Sequence, residues 1–156
     1  MAGTEVTIEG LPELQALLRK LGSDATETVK KQLAASGLEL ETEAKKNITD
    51  IPAVDTGKAR ASIHYRSANG GMTAEVAASG VVPLVIEFGS APHFPPVAPL
   101  EAWAHRHGMP PGAGFAIAQA IARRGTRAHP FMYPAFDTIS VKFVKDLTTK
   151  LNALVE

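Results

Sequence analysis

An α+β fold follows from three observations. Apolar residues recur every three or four positions towards both ends of the chain. In the middle they alternate at every second position, and an Asn-Gly-Gly turn separates the two alternating runs. At 156 residues the chain can bury a core as one domain. The expected organisation is a single domain over residues 1–156, with N-terminal helices in 11–50 and a β-hairpin in 60–78. A loop-rich helical insertion follows in 90–128 and a C-terminal helix in 134–156. The long amphipathic helix and the C-terminal helix are expected to pack on the small antiparallel hairpin.

Leu11, Leu14, Leu17, Leu18 and Leu21 fall at helical spacing, and Gly22 is expected to stop that first short helix. Ser23 or Asp24 is placed to cap the next one. Its stripe runs Val29, Leu33, Gly37, Leu40, Ala44, Ile48 and ends before Pro52. Gly37 reads equally as a point of close approach or as a tolerated helix glycine costing about 1 kcal/mol. Ala61, Ile63 and Tyr65, then Met72, Ala74 and Val76, alternate with polar residues on either side of Asn69-Gly70-Gly71, which predicts a hairpin. An isolated hairpin is marginal in water, so one face must pack on the long helix or join another sheet. Gly80 to Gly89 fits either a third strand or a short helix beginning near Val82. Ser90 to Pro99 is a proline-rich loop, Leu100 to His107 a short helix, and Ala113 to Arg124 an alanine-rich one.

The segment Gly125 to Phe136 is built to dock rather than to react. Pro130 and Pro134 restrict its backbone and are expected to keep the helix from starting before Pro134. Phe131, Tyr133 and Phe136 lie around them, and Arg123, Arg124 and Arg127 lead in. From Phe136 a helical stripe continues through Ile139, Phe143, Leu147, Leu151 and Leu154.

The formal charge is zero, which argues against a binder held to nucleic acid by bulk charge. The span from Ala102 to Phe136 nevertheless carries arginines and histidines with no carboxylate. Without cysteine the chain forms neither a disulfide framework nor a Cys-based zinc site, which fits a reducing compartment. Met1 to Glu5 lack the basic and apolar regions of a signal peptide, and the longest apolar run, Val81 to Ile86, is too short to span a bilayer. The chain therefore reads as soluble and intracellular.

Candidate chemistry is sparse. His105 and His107 stand two apart on an expected helix and point in different directions, and His93 and His129 lie elsewhere; ordinary surface or packing roles fit them better than a metal. Asp55-Thr56-Gly57 resembles the tripeptide of aspartic proteases, but Asp55 or Thr56 as a cap on the turn at Lys58-Ala59-Arg60 is the better account. Arg123, Arg124 and Arg127 sit where cations favour a helix C-terminus and could also touch phosphate. Glu87, alone among Val85, Ile86 and Phe88, is expected to clamp a cation such as Arg60, Arg66 or Arg127. Neither a hydrolase-like serine–histidine pair nor a nucleotide-binding glycine loop is present, so no catalytic, cofactor or metal residue is assigned and the chain does not read as an enzyme.

Three motifs, taken in order, resemble the tail-completion or neck protein family of long-tailed bacteriophages. They are Val54-Asp55-Thr56-Gly57-Lys58-Ala59-Arg60-Ala61-Ser62-Ile63, then Ile86-Glu87-Phe88-Gly89-Ser90, then His129-Pro130-Phe131-Met132-Tyr133-Pro134-Ala135-Phe136. The family typically reads Val-Asp-Thr-Gly with a basic residue and Ser-Ile, then Glu-Phe-Gly-Thr, then Pro-Phe and Pro-Ala before a terminal helix. The insertion from His93 through Arg124 looks like a longer subgroup of that family, and the resemblance runs from about Lys46 to the C-terminus. Ser90 replaces the usual Thr, and Val81-Val82-Pro83-Leu84 replaces a tyrosine-bearing segment.

The resemblance implies a structural assembly protein of a siphophage, prophage or gene transfer agent. It would act at the head–tail junction, located in the virion neck or tail and assembled in the host cytoplasm. Its implied partners are further copies of itself in a ring, head-closure proteins, and tail-terminator or tail-tube proteins. It implies no cofactor and no membrane. Asp55, Thr56, Gly57, Arg60, Ser62, Glu87, Phe88, Gly89, Pro130, Phe131, Pro134 and Phe136 would form the structural or interface motif. Arg123, Arg124 and Arg127 would face DNA in the channel or an acidic partner. Hairpin edges and the loop from Ser90 to Pro99 are the surfaces expected to make ring contacts. A tail-terminator-type ring protein is the nearest alternative; a small DNA-binding module or a metal-dependent hydrolase stands further off.

Overall fold

The computed structural model describes residues 11–51 and 55–155, with side chains from residue 16 onward. Met1 to Glu5, Pro52, Val54 and the side chains of Leu11 and Leu14 lie outside the described residues.

Helix α1, Leu11–Thr49, is continuous over 39 residues, about 58 Å at the rise of an α-helix. Gly22 does not stop it, and Ser23 and Asp24 are interior residues instead of caps. An exposed helix glycine costs only about 1 kcal/mol, which the hydrogen-bond ladder on either side outweighs. The Thr26 hydroxyl also donates to the Gly22 carbonyl at 2.8 Å. Ala44 and Ile48 of the stripe are fully buried, while Leu17 and Leu18 near the helix start are 62% and 59% exposed.

Helix α2, Lys58–Ala61, is a single turn leading into β1, Ile63–Ala68. Residues Asn69–Gly71 turn the chain with positive φ at all three positions, and β2, Thr73–Ala78, returns antiparallel in the register Ile63↔Ala78 to Ala68↔Thr73. The hairpin lies on α1. At Gly37 a Cβ would fall 2.3 Å from the Tyr65 ring, so the close-approach reading of that glycine holds. The Glu41 carboxylate accepts the Tyr65 N–H at 2.6 Å and pins the strand to the helix.

The ambiguous Gly80–Gly89 segment is helical: α3 spans Val81–Phe88. Pro83 is its third residue, where no helical acceptor awaits an N–H. Helices α4, Val97–Arg106, and α5, Ala113–Arg124, pack together, and α4 starts three residues earlier than the periodicity suggests. The Glu101 carboxylate accepts the N–H groups of Gly112 (2.7 Å) and Gly114 (2.8 Å) and so caps α5. Gly114 is buried, and a Cβ there would come within 2.4 Å of the Glu101 nitrogen.

Helix α6, Met132–Asn152, begins two residues before Pro134, which occupies its third position as Pro83 does in α3. Three ties show that α6 runs antiparallel along α1: Asn47 Nδ2 to the Phe131 carbonyl at 3.0 Å, Lys142 Nζ to Glu39 at 2.6 Å, and Lys150 Nζ to Gln32 Oε1 at 2.6 Å. The core, formed by Ala44, Ile48, Ile63, Ile86, Phe131 and Ala135, lies where α1, β1, α3 and the start of α6 converge.

Candidate functional site

Two of the sequence motifs, some forty residues apart, build one unit around Glu87. Helix α3 places this side chain, 6% exposed, against the entry to α6. One carboxylate oxygen accepts the N–H of Phe131 at 2.8 Å and of Met132 at 2.9 Å, and the other accepts the N–H of Tyr133 at 3.1 Å. A helix start leaves four N–H groups without partners. Here Glu87 takes three of them, and Pro134, at the fourth, has none to offer. The cation expected as its partner is therefore replaced by a helix N-terminus, whose partial positive charge favours a carboxylate. The clamp exists, but Arg60, Arg66 and Arg127 are not part of it. Arg66 instead pairs with Glu75 across the hairpin.

Further contacts continue the clamp along the chain. The Ile86 carbonyl accepts the His129 N–H at 2.7 Å, and Ser90 and Thr126 exchange backbone hydrogen bonds at 3.2 and 3.1 Å. Their hydroxyls are 2.9 Å apart. Gly89 and Gly125 have positive φ, and a Cβ on Gly125 would lie 2.0 Å from the Ser90 carbonyl oxygen, so the two segments meet backbone to backbone. Phe131 fills the core at 1% exposure. The aromatic–proline segment thus docks first onto its own chain. Phe88, Tyr133 and Phe136 remain outside at 68%, 64% and 56% exposure, and Pro130 and Pro134 are exposed.

The first motif acts elsewhere. Gly57 caps α2 in the left-handed region with φ 72°, and neither Asp55 nor Thr56 makes a side-chain cap. Asp55 instead receives Arg106 Nε at 2.9 Å on both oxygens, with Nη2 on Oδ2 as well. That hydrogen bond holds the Asp55 carboxyl below its ordinary value and raises the Arg106 guanidinium. Ser62 Oγ donates to the Ala59 carbonyl at 2.8 Å and accepts the Ser79 N–H at 3.2 Å, closing the open end of the hairpin. Thr56 and Arg60 are exposed. The partner Arg106 was not legible beforehand, since nothing local ties α4 to the turn before α2.

Arg123, Arg124 and Arg127 are exposed around the C-terminus of α5. Arg123 Nε reaches the Gln119 carbonyl at 3.4 Å, as a helix-end cation does. Arg124 and Arg127 border an open cavity of about 510 Å³ with an apolar floor that includes Ile117 and Ile121. His107 stacks on Trp103 with ring centres 4.1 Å apart. Among the described residues no group of three or more His, Asp or Glu side chains could hold a metal ion, and no helix is long and apolar enough to cross a membrane.

Residues 13–89 match the family described as "Bacteriophage HK97-gp10, putative tail-component". That stretch is HK97-gp10-like. It takes in all but the first two residues of α1, then α2, the hairpin and α3, and so contains the Asp-Thr-Gly motif and Glu87. The HK97-gp10-like span begins well before Lys46, where the motif resemblance starts. It stops short of the His129–Phe136 segment that Glu87 holds. No curated protein and no solved structure matches significantly.

Proposed function

We propose that this chain is a structural subunit of the head–tail junction of a long-tailed phage, prophage or gene transfer agent. It acts as a neck or tail-completion component through contacts within a ring and between rings. The observation that carries this reading is the HK97-gp10-like match over residues 13–89. Its surface supports a life in an assembly. Val81, Phe88, Tyr133 and Val141 are 72%, 68%, 64% and 73% exposed, on α3 and α6, and such apolar side chains favour burial against a partner. Within the motif residues the roles divide. Glu87, Gly89 and Phe131 hold the platform; Phe88, Tyr133 and Phe136 present themselves to partners. Arg124 and Arg127, at the mouth of the open cavity, are the cations available to an acidic partner or to DNA in the channel.

The deciding experiment is the solution mass of the purified chain, alone and mixed with the products of its neighbouring genes. A ring, or a complex with a head-closure, tail-terminator or tail-tube subunit, is the expected result. A monomer that ignores every such neighbour overturns the reading.

A further inference from the structure

The open cavity beside the end of α5 combines apolar walls with a rim whose only charges are positive. Val85 and Ile86 of α3 face Ile117, Ala120 and Ile121 of α5 across it. Its volume of about 510 Å³ lies within the roughly 300–1,000 Å³ usual for binding clefts. Arg124, Arg127 and His129 also line it, and no Asp or Glu does. Both arginines are exposed, and neither makes an ion pair among the described residues. The frame is held without a ligand. The Gly125 N–H closes α5 on the Ile121 carbonyl at 2.8 Å, while the Ser90–Thr126 exchange and the His129 N–H on the Ile86 carbonyl fix the following segment to α3. A preformed cleft loses little conformational freedom when a segment enters it.

Aliphatic walls under two guanidinium groups select the chemistry of an occupant. A guanidinium takes a carboxylate or a phosphate through paired N–H groups. The walls take a hydrocarbon side chain and offer nothing to a sugar or a phosphate. Proteins that hold single strands set aromatic faces against the bases, yet no Phe, Tyr or Trp lines this cavity. The chain also has no net formal charge to attract a duplex from a distance. Charge and shape together therefore favour an acidic peptide over nucleic acid. The hollow between α2 and α4 does not offer the same site: Lys58 and Arg106 line it, but Asp55 already holds Arg106.

We propose that the cavity between α3 and α5 binds an acidic peptide segment of a neighbouring head or tail protein, with an aliphatic side chain next to one or two carboxylates. The aliphatic side chain enters between Ile86 and Ile121, and the carboxylates meet Arg124 and Arg127 at the rim. The proposal rests on the head–tail junction reading and deepens it, since it names the chemistry of one partner contact. It assigns the two arginines to protein instead of DNA.

The test titrates the full-length chain into short fluorescein-labelled peptides tiled over the products of the neighbouring genes. A labelled DNA duplex and the intact neighbours are measured in parallel. At least one peptide with an aliphatic side chain beside carboxylates should bind. Arg124→Glu/Arg127→Glu and the cavity-filling Ala120→Trp should each weaken that binding at least tenfold, with unchanged circular dichroism. Replacing the peptide's carboxylates with lysine should restore binding to the Arg124→Glu/Arg127→Glu chain. If Ala120→Trp does not fold, the arginine variant and its lysine rescue still decide, because both arginines are exposed. Peptide binding that ignores Ala120→Trp in a folded chain overturns the cavity as the site. DNA bound through the two arginines, with no peptide bound, overturns the peptide and assigns the rim to nucleic acid. Intact neighbours that bind the parent and both variants alike overturn the site and leave the junction reading standing. Neighbours that never bind remove both.

Discussion

Glu87 holds the start of α6 in place. Its two oxygens serve three backbone donors at the start of α6, and it does so from a nearly dry position. Removing an acceptor from buried N–H groups costs their desolvation, so Glu87→Ala should lower stability by about 3 kcal/mol. Glu87→Gln keeps one carbonyl oxygen and loses the charge, which predicts a smaller loss of about 1–2 kcal/mol. Chemical denaturation of the two variants checks both the size and the order; equal and negligible losses would contradict the capping role. Gly125 is the other sensitive residue. With φ 71° and the Ser90 oxygen 2.0 Å from where a Cβ would sit, Gly125→Ala should displace the 125–133 segment from α3 and destabilise the chain by more than about 1 kcal/mol.

At the scale of elements, α1 and the α4–α5 pair invite opposite tests. Gly22 in α1 has open space where a Cβ would be and φ in the ordinary range. Gly22→Ala should therefore stabilise the chain, by about 0.5–1 kcal/mol, with a matching rise in the midpoint of thermal unfolding. The Asp55–Arg106 pair ties α4 to the turn before α2, and its strength depends on pH. The folded Asp55 carboxyl lies below its unfolded value, so the pair contributes fully above the unfolded value of about 4 and fades as pH falls through the folded one. Asp55→Asn should thus be less stable than the parent chain at neutral pH, and the gap should close in acid. A gap that stays constant from pH 7 to pH 3 would show that the ion pair contributes nothing. Glu41 behaves with the same sign, since Lys45 and the Tyr65 N–H hold its carboxyl low.

For the whole molecule, the division between holding and presenting residues makes a direct prediction. Phe88→Asp or Tyr133→Asp should leave the thermal midpoint within a few degrees of the parent, because both side chains are more than half exposed. Each should weaken association with head or tail partners at least tenfold by light scattering or pull-down. If Arg124 and Arg127 meet DNA, replacing both with Ala should abolish a DNA affinity that falls steeply with salt. Unchanged binding would assign them to a protein partner.

Periodicity by itself determined the types of the long helices and of the hairpin, because burial on one face imposes a repeat of about 3.6 in helices and of 2 in strands, but it left Gly80 to Gly89 open between strand and helix. The stripe Val29 to Ile48, the Asn69-Gly70-Gly71 turn and the stripe from Phe136 onward each specify their element locally. Local signals did not locate the interruptions. Gly22 and Pro134 look like breaks, yet a helix long enough tolerates the one, and a first turn without acceptors admits the other. The sequence also marked Glu87 as anomalous without naming its partner. Only the tertiary structure could do so, because the acceptor and the helix start it serves are more than forty residues apart and meet through the packing of α3 and α6 on α1. The same holds for Asp55 and Arg106: pattern makes an element, but the placement of neighbouring elements decides what it meets.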